Sequence, residues 1–189
     1  MLDSFHQIFS WVCGQGLAHT WSPCGELLPC CQRCTGVYAG AFVAALLHLI
    51  CPPKATSFWL RLNGLFLLFM IPAGYHWFAQ GPTLRAASGM LFGFGLVAFL
   101  WLPLLSNILP EAERKNSRSQ LEIFFVALLA ALVGTPLLGA SGIAFAATAL
   151  ALLTAGGALA LALLLAVNLF LAARGLWRWF IQPAARVAA

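Results

Sequence analysis

Pro29-Cys30-Cys31-Gln32-Arg33-Cys34-Thr35-Gly36-Val37-Tyr38-Ala39-Gly40 decides how this chain is read. It places three cysteines and an arginine within residues 30–34, then runs without a break into the apolar segment Val37–Ile50. Proline suits the first turn of a helix, where its missing N–H has no partner to lose, so the spacing predicts a helix that starts at Pro29. In such a helix Cys31 and Cys34 share a face, and so do Cys30 and Cys34. All three lie at the positive end of the helix dipole beside Arg33, where thiolates are favoured. Thiolates held in this way serve as metal ligands or redox nucleophiles.

The flanking sequence is as apolar as the stretch itself. The chain is 62% hydrophobic and 8% charged, with a mean hydropathy of +0.92. Soluble domains carry about 25% charged residues, so this composition implies an all-α, polytopic integral membrane bundle. The 189 residues leave room for about five spans of ~20 residues and short loops. The net charge of +5 is dispersed over loop ends, which suits lipid headgroups and excludes nucleic acid as a partner.

Upstream, Met1–Leu28 lacks the basic start and uninterrupted apolar core of a signal peptide. Phe5, Ile8, Phe9, Trp11 and Val12 suggest a short amphipathic helix along the membrane surface, leaving His6 and Cys13 in an interfacial lead-in. Gly14, Gly16, Pro23 and Gly25 mark an irregular loop that carries His19 and Cys24 and is able to fold over the cysteines.

Downstream, the first span runs from about Thr35 to Cys51 and stops at Pro52-Pro53. Gly36, Gly40 and Ala44 form a small-residue face for close packing, and His48 on the same stripe reads as a structural hydrogen bonder. The second span is about Leu60–Phe78, with Trp59 and Trp77 at aromatic-belt positions. Gln80-Gly81-Pro82-Thr83 turns the chain through Arg85 into a third span, about Ala86–Ile108, with Gly89 and Gly93 at small-residue spacing. The charged segment Pro110–Gln120 reads as a solvated loop. A fourth span, about Leu121–Leu138, is expected to break near Gly134 and Pro136, and a fifth covers about Ile143–Ala173. Thr148, Thr154 and Asn168 in the fifth read as interhelical donors, contributing about 0.6 kcal/mol each. Arg174, Trp177, Arg178 and Trp179 anchor its end.

Five spans put Arg33 and Arg85 on one side, and Lys54, Arg61, Arg114, Lys115, Arg118, Arg174, Arg178 and Arg186 on the other. The positive-inside rule then assigns the second group to the cytoplasm. A multi-pass protein of the inner (plasma) membrane is expected, with its N-terminus outside and its C-terminus in the cytoplasm. The cysteine cluster, His76 and Arg85 face outward, and His76 and Arg85 are expected to line one pocket with Cys31 and Cys34.

Pro29, Cys31, Arg33, Cys34, Thr35, Gly36, Tyr38 and Gly40 together resemble the signature of the domain of unknown function family 2085, membrane proteins of bacteria and archaea. Gln80, Arg85 and Gly89 resemble its later elements. The resemblance covers about residues 18–100 and implies a membrane fold and a site. It implies no activity. Ala18-His19-Thr20 stands where the family has Cys-His-Gln, so His19 is kept and its neighbouring thiol is missing, with Cys24 or Cys30 as the substitute. The chain accordingly divides into residues 1–34, an interfacial segment carrying the Cys/His cluster; 35–108, a three-helix family core; and 109–189, two further spans and a short tail.

Three function classes follow. One is an extracytoplasmic zinc or copper site using Cys31, Cys34 and His19, with Cys24, Cys30 or His76 as the fourth ligand and Arg33, Arg85 and Tyr38 in support. A second is thiol–disulfide exchange through Cys31 and Cys34 with a quinone or a redox partner protein. A third is a structural disulfide in an accessory subunit of a larger membrane complex. No paired carboxylates, Ser–His–Asp order, phosphate-cradling glycine loop or haem-attachment motif is present.

Overall fold

Helix α2 (Gln32–Ile50) is the axis on which the bundle is built. A short helix, α1 (Leu2–Ser10), and two 3-10 turns, Leu17–His19 and Pro23–Gly25, precede it. Helices α3 (Ser57–Gly74), α4 (Pro82–Ile108), α5 (Arg118–Ala140) and α6 (Ala144–Ile181) follow. This computed structural model describes residues 2–14, 16–54, 56–108 and 118–181. Among them, five helices, α2 to α6, are long and apolar enough to cross a membrane.

The most extensive packing joins α2 to α4. A Cβ on Gly36 would overlap the Ala86 carbonyl, and one on Gly40 would overlap that of Met90. Reciprocally, Gly89 sits against the Arg33 carbonyl and Gly93 against that of Val37. These registers make α2 and α4 parallel, with α3 returning the chain between them. In lipid there is no hydrophobic drive for helices to associate, so contact of this closeness and its dispersion energy hold the pair. Below it, Ala41, Ala44 and Ala45 of α2 pack on Met90, Phe94, Val97 and Trp101 of α4, and α5 and α6 close the core with Phe124, Leu128 and Leu164. Helix α6 reaches α2 where Gly157 meets the Tyr38 carbonyl.

Large apolar side chains elsewhere point outward, among them Leu65 and Leu68 on α3, Val126 and Leu129 on α5, and Leu159 and Leu163 on α6. This suits helices bathed in acyl chains rather than water.

The observed elements differ from the sequence expectations in several places. Helix α5 passes through Gly134 and Pro136 without a break, as Pro is tolerated where neighbouring helices and local adjustment satisfy the freed backbone. The second span starts earlier and ends earlier than expected, at Ser57 and Gly74, because Thr56 caps it by accepting the Trp59 N–H at 3.2 Å. Trp59 is buried against His48 instead of facing an interface. Helix α6 continues past Ala173 to Ile181. Of its three polar residues only Asn168 bonds across helices, donating to the Leu100 carbonyl at 2.7 Å, while Thr154 donates to Leu150 of its own helix and Thr148 is exposed. Residues 109–117 of the expected charged loop, and the tail beyond Ile181 with Arg186, lie outside the described residues.

Gly36→Ala and Gly89→Ala should each lower the thermal unfolding midpoint of detergent-purified protein, since overpacking of this kind costs about 1–3 kcal/mol. Gly134→Ala, where a Cβ meets nothing, should leave the midpoint unchanged or raise it slightly.

Candidate metal centre

Helix α2 begins at Gln32 and not at Pro29. The Leu28 N–H donates to the Trp21 carbonyl at 3.0 Å, closing the loop before the helix, so Pro29 and Cys30 are spent on a buried bend. Cys31 becomes the extended N-cap residue (φ −64, ψ 160), and its carbonyl accepts the Thr35 N–H at 2.9 Å. The Thr35 hydroxyl reaches back to the Cys30 carbonyl at 3.4 Å. Cys31 and Cys34 therefore flank the first turn of α2, with the helix dipole directed at both.

A third thiol joins them from the segment that follows α1. Phe9 at the end of α1 packs on Tyr38, with ring centroids 5.3 Å apart, and Cys13 follows as the chain leaves that contact. The sulfurs of Cys13, Cys31 and Cys34 all lie within 4.8 Å of one another. The Cys31 N–H donates to the Cys13 sulfur at 3.3 Å, which fixes the register of the two segments. Cys13 was expected only as part of an interfacial lead-in, 18 residues from Cys31. Its sole signal was its own side-chain type.

Neither Cys24 nor Cys30 enters this group. Cys24, in left-handed backbone (φ 52), directs its thiol to the Gly142 carbonyl. Cys30 is fully buried in apolar packing with Phe9 and Cys13. His19 is exposed and stands outside the sulfur group, as does His76 in its left-handed turn after α3 (φ 56). Both nevertheless line the cleft onto which Cys13, Cys31 and Cys34 open, together with Arg33 and Arg85; its volume is about 330 Å³.

Arg33 ties this cleft to the α3–α4 turn. Its Nη2 donates to the Ala73 carbonyl and to Gln80 Oε1, each at 2.9 Å, and Gln80 Nε2 donates to the same Ala73 carbonyl at 2.7 Å.

Residues 13–99 match the family of predicted membrane proteins DUF2085. An uncharacterised protein of the archaeon Methanothermobacter thermautotrophicus is 34% identical over 102 residues, 53% of this chain and 89% of the relative. The chain belongs to the DUF2085 family. No solved structure matches it.

The family match begins at Cys13, whose sulfur stands with those of Cys31 and Cys34. The residues that carry the resemblance gather at the same end of the bundle. Cys31 and Cys34 present sulfur, Arg33 and Gln80 clamp the turn, Thr35 holds the bend, Tyr38 seats α1, and Gly36, Gly40 and Gly89 let α2 touch α4.

The cysteines differ in electrostatics. The Cys31 thiol is pulled down to about 5, first by the hydrogen bond from the Cys34 thiol. Burial opposes this, and the Cys34 amide, the Cys13 thiol and the Arg33 amide add to it. Its sulfur makes no capping hydrogen bond of regular geometry, so those amides act as nearby dipoles. Burial drives the Cys30 thiol upward, and the neighbouring Cys13 and Cys31 push it further.

At the opposite end of α2, His48 is 2% exposed, and its Nδ1 lies 2.6 Å from the Ala44 carbonyl between Trp59 and Trp101. This fits the structural role expected of it.

In metal-free protein, alkylation of Cys31 by iodoacetamide should be nearly flat between pH 6 and 8, because its thiolate is already formed above about 5. An ordinary thiol near pKa ~8.5 should speed up about tenfold per pH unit over that window. Cys30 should remain unlabelled throughout, as peptide mass spectrometry would reveal.

Proposed function

We propose that this membrane protein holds a thiophilic metal ion, zinc or copper(I), on Cys13, Cys31 and Cys34 at the outer mouth of its bundle. The observation that carries this reading is the third sulfur. A disulfide or a redox pair needs two thiols, whereas three within 4.8 Å of each other suit a metal. Around zinc, with Zn–S of about 2.3 Å, sulfurs lie about 3.5–4 Å apart, a separation these side chains reach by small rotations. The low thiol pKa of Cys31 favours the ligating form.

Zinc takes a fourth donor, for which His19 and His76 at the rim of the cleft are the candidates, while copper(I) is content with soft thiolates. Arg33, Arg85 and Tyr38 support the centre: Arg33 by fixing the α3–α4 turn, Arg85 by its charge, and Tyr38 by seating α1. Charge asymmetry supports an inner (plasma) membrane orientation with this mouth outside and the C-terminus in the cytoplasm. The lipid bilayer is the surrounding partner.

One observation favours a second reading. Cys31, with its lowered pKa, and Cys34 form the kind of pair that passes two electrons and two protons to a quinone or to a partner protein's disulfide.

Elemental analysis of purified protein, combined with thiol counting under denaturing, non-reducing conditions, tests the metal centre. Near-stoichiometric metal and free Cys13, Cys31 and Cys34 are expected. Cys13→Ser, Cys31→Ser and Cys34→Ser should each lower the metal content at least tenfold, and Cys24→Ser and Cys51→Ser should not. Metal-free protein with a Cys31–Cys34 bond would overturn the reading in favour of redox chemistry. For orientation, a membrane-impermeant maleimide on intact cells should label Cys31 or Cys34 after metal removal and spare Cys51. Labelling of Cys51 alone would reverse the assignment.

A further inference from the structure

Two guanidinium groups face one cleft that offers them no carboxylate. Arg33 and Arg85 line the cleft described above, with His19 and His76 at its rim, and none of its lining residues is acidic. Arg33 is half committed: its Nη2 holds the Ala73 carbonyl and Gln80, while its Nε is buried without a partner. Arg85 is uncommitted. Its Nε is also buried without a partner, and no described residue supplies its side chain with a hydrogen bond or ion pair.

A buried guanidinium N–H left unpaired is costly, more so than a neutral donor, so its persistence calls for an acceptor. The cleft adds positive potential of its own. Helices α2 and α4 are parallel and both begin here, so their positive dipole ends converge on the same space. The negative charge that the cleft does contain belongs to the sulfurs, and three thiolates keep a net charge of −1 around zinc and −2 around copper(I). Two fixed cations together with two helix N-termini, each equivalent to about half a positive charge, outweigh that charge.

We propose that this cleft binds a phosphate group, with Arg85 as the principal donor. A guanidinium presents two parallel N–H groups to two oxygens of such an oxyanion, and the rim histidines line the same cleft. At about 330 Å³ the cleft stands at the small end of the range for ligand pockets, which suits inorganic phosphate or a phospholipid headgroup entering from the membrane surface. The inference goes beyond the metal reading and does not depend on it, since guanidiniums and not sulfurs carry it.

Calorimetric titration of the detergent-purified protein tests the site, in metal-free and metal-loaded forms, with inorganic phosphate and with short-chain phosphatidic acid as probes. Saturable binding in 0.15 M chloride is expected, weakened at least tenfold by Arg85→Gln and to a smaller extent by Arg85→Lys, which keeps the charge and loses the fork. Metal content should be unchanged in Arg85→Lys, which keeps the charge beside the metal centre, and thermal melts report whether both variants fold. Binding of inorganic phosphate identifies a soluble ligand, and binding of phosphatidic acid alone identifies a headgroup. Should Arg85→Gln fail to fold, Arg85→Lys and wild-type saturation still decide. Absence of saturable binding of either probe to wild type, or affinity unaltered in folded Arg85 variants, would overturn the proposal. Loss of metal with phosphate binding intact would instead refute only the metal centre.

Discussion

Backbone-to-backbone contact between α2 and α4 is the constraint on which the rest of the bundle depends. Gly36, Gly40, Gly89 and Gly93 remove the side chains that would keep the two helices apart, and carbonyls fill the vacated space. A parallel pair at this distance fixes more than packing. It sets the N-terminus of α2 beside that of α4, and the turn that ends α3 must lie between them. Arg33 can then reach Ala73 and Gln80, which lie 40 and 47 residues away in sequence. Moving α4 outward by one methyl group would loosen the floor of the cleft before it altered any sulfur.

The chemistry sits where that geometry ends. A helix start is a poor place for bulky apolar side chains and a good one for anions, so cysteines there gain acidity from the amides around them. Two come from the helix itself. The third arrives on a separate segment held by the contact between Phe9 and Tyr38, which makes the site a junction between the N-terminal segment and the bundle. Such a junction couples ligand binding to the docking of α1: whatever the sulfurs hold also staples that helix to the membrane core.

Composition and the cysteine-rich stretch made the class of fold legible, because hydropathy over ~20 residues is a local property that the chain states directly. The glycine spacing of the first and third spans was legible for the same reason. Cys13 was not. Its place is decided by how a nine-residue helix docks on Tyr38, a tertiary event with no period in the sequence. The start of α2 was misplaced because Pro29 fits a first helical turn as readily as a bend, and the hydrogen bond from Leu28 to Trp21 that selects the bend spans a loop. Gly134 and Pro136 looked like breaks by the rules of water, where an unsatisfied carbonyl is cheaply solvated; inside a bilayer, continuing the helix is the better solution.

The length of α6 sets a ruler against the membrane. Its 38 residues extend roughly 57 Å at about 1.5 Å per residue. A hydrocarbon layer is about 30 Å thick, and even a tilt of about 40° leaves the helix spanning roughly 44 Å along the membrane normal. At that tilt each residue rises about 1.15 Å along the normal, so about twelve residues must stand outside the acyl region. If α6 enters the layer at its first turn, the surplus begins near Phe170 and takes in Arg174, Arg178 and the exposed Trp177 and Trp179. The last turns of α6 then form a stalk that carries aromatic rings and guanidiniums through the headgroups, so the end of this helix is held at a defined height above the membrane.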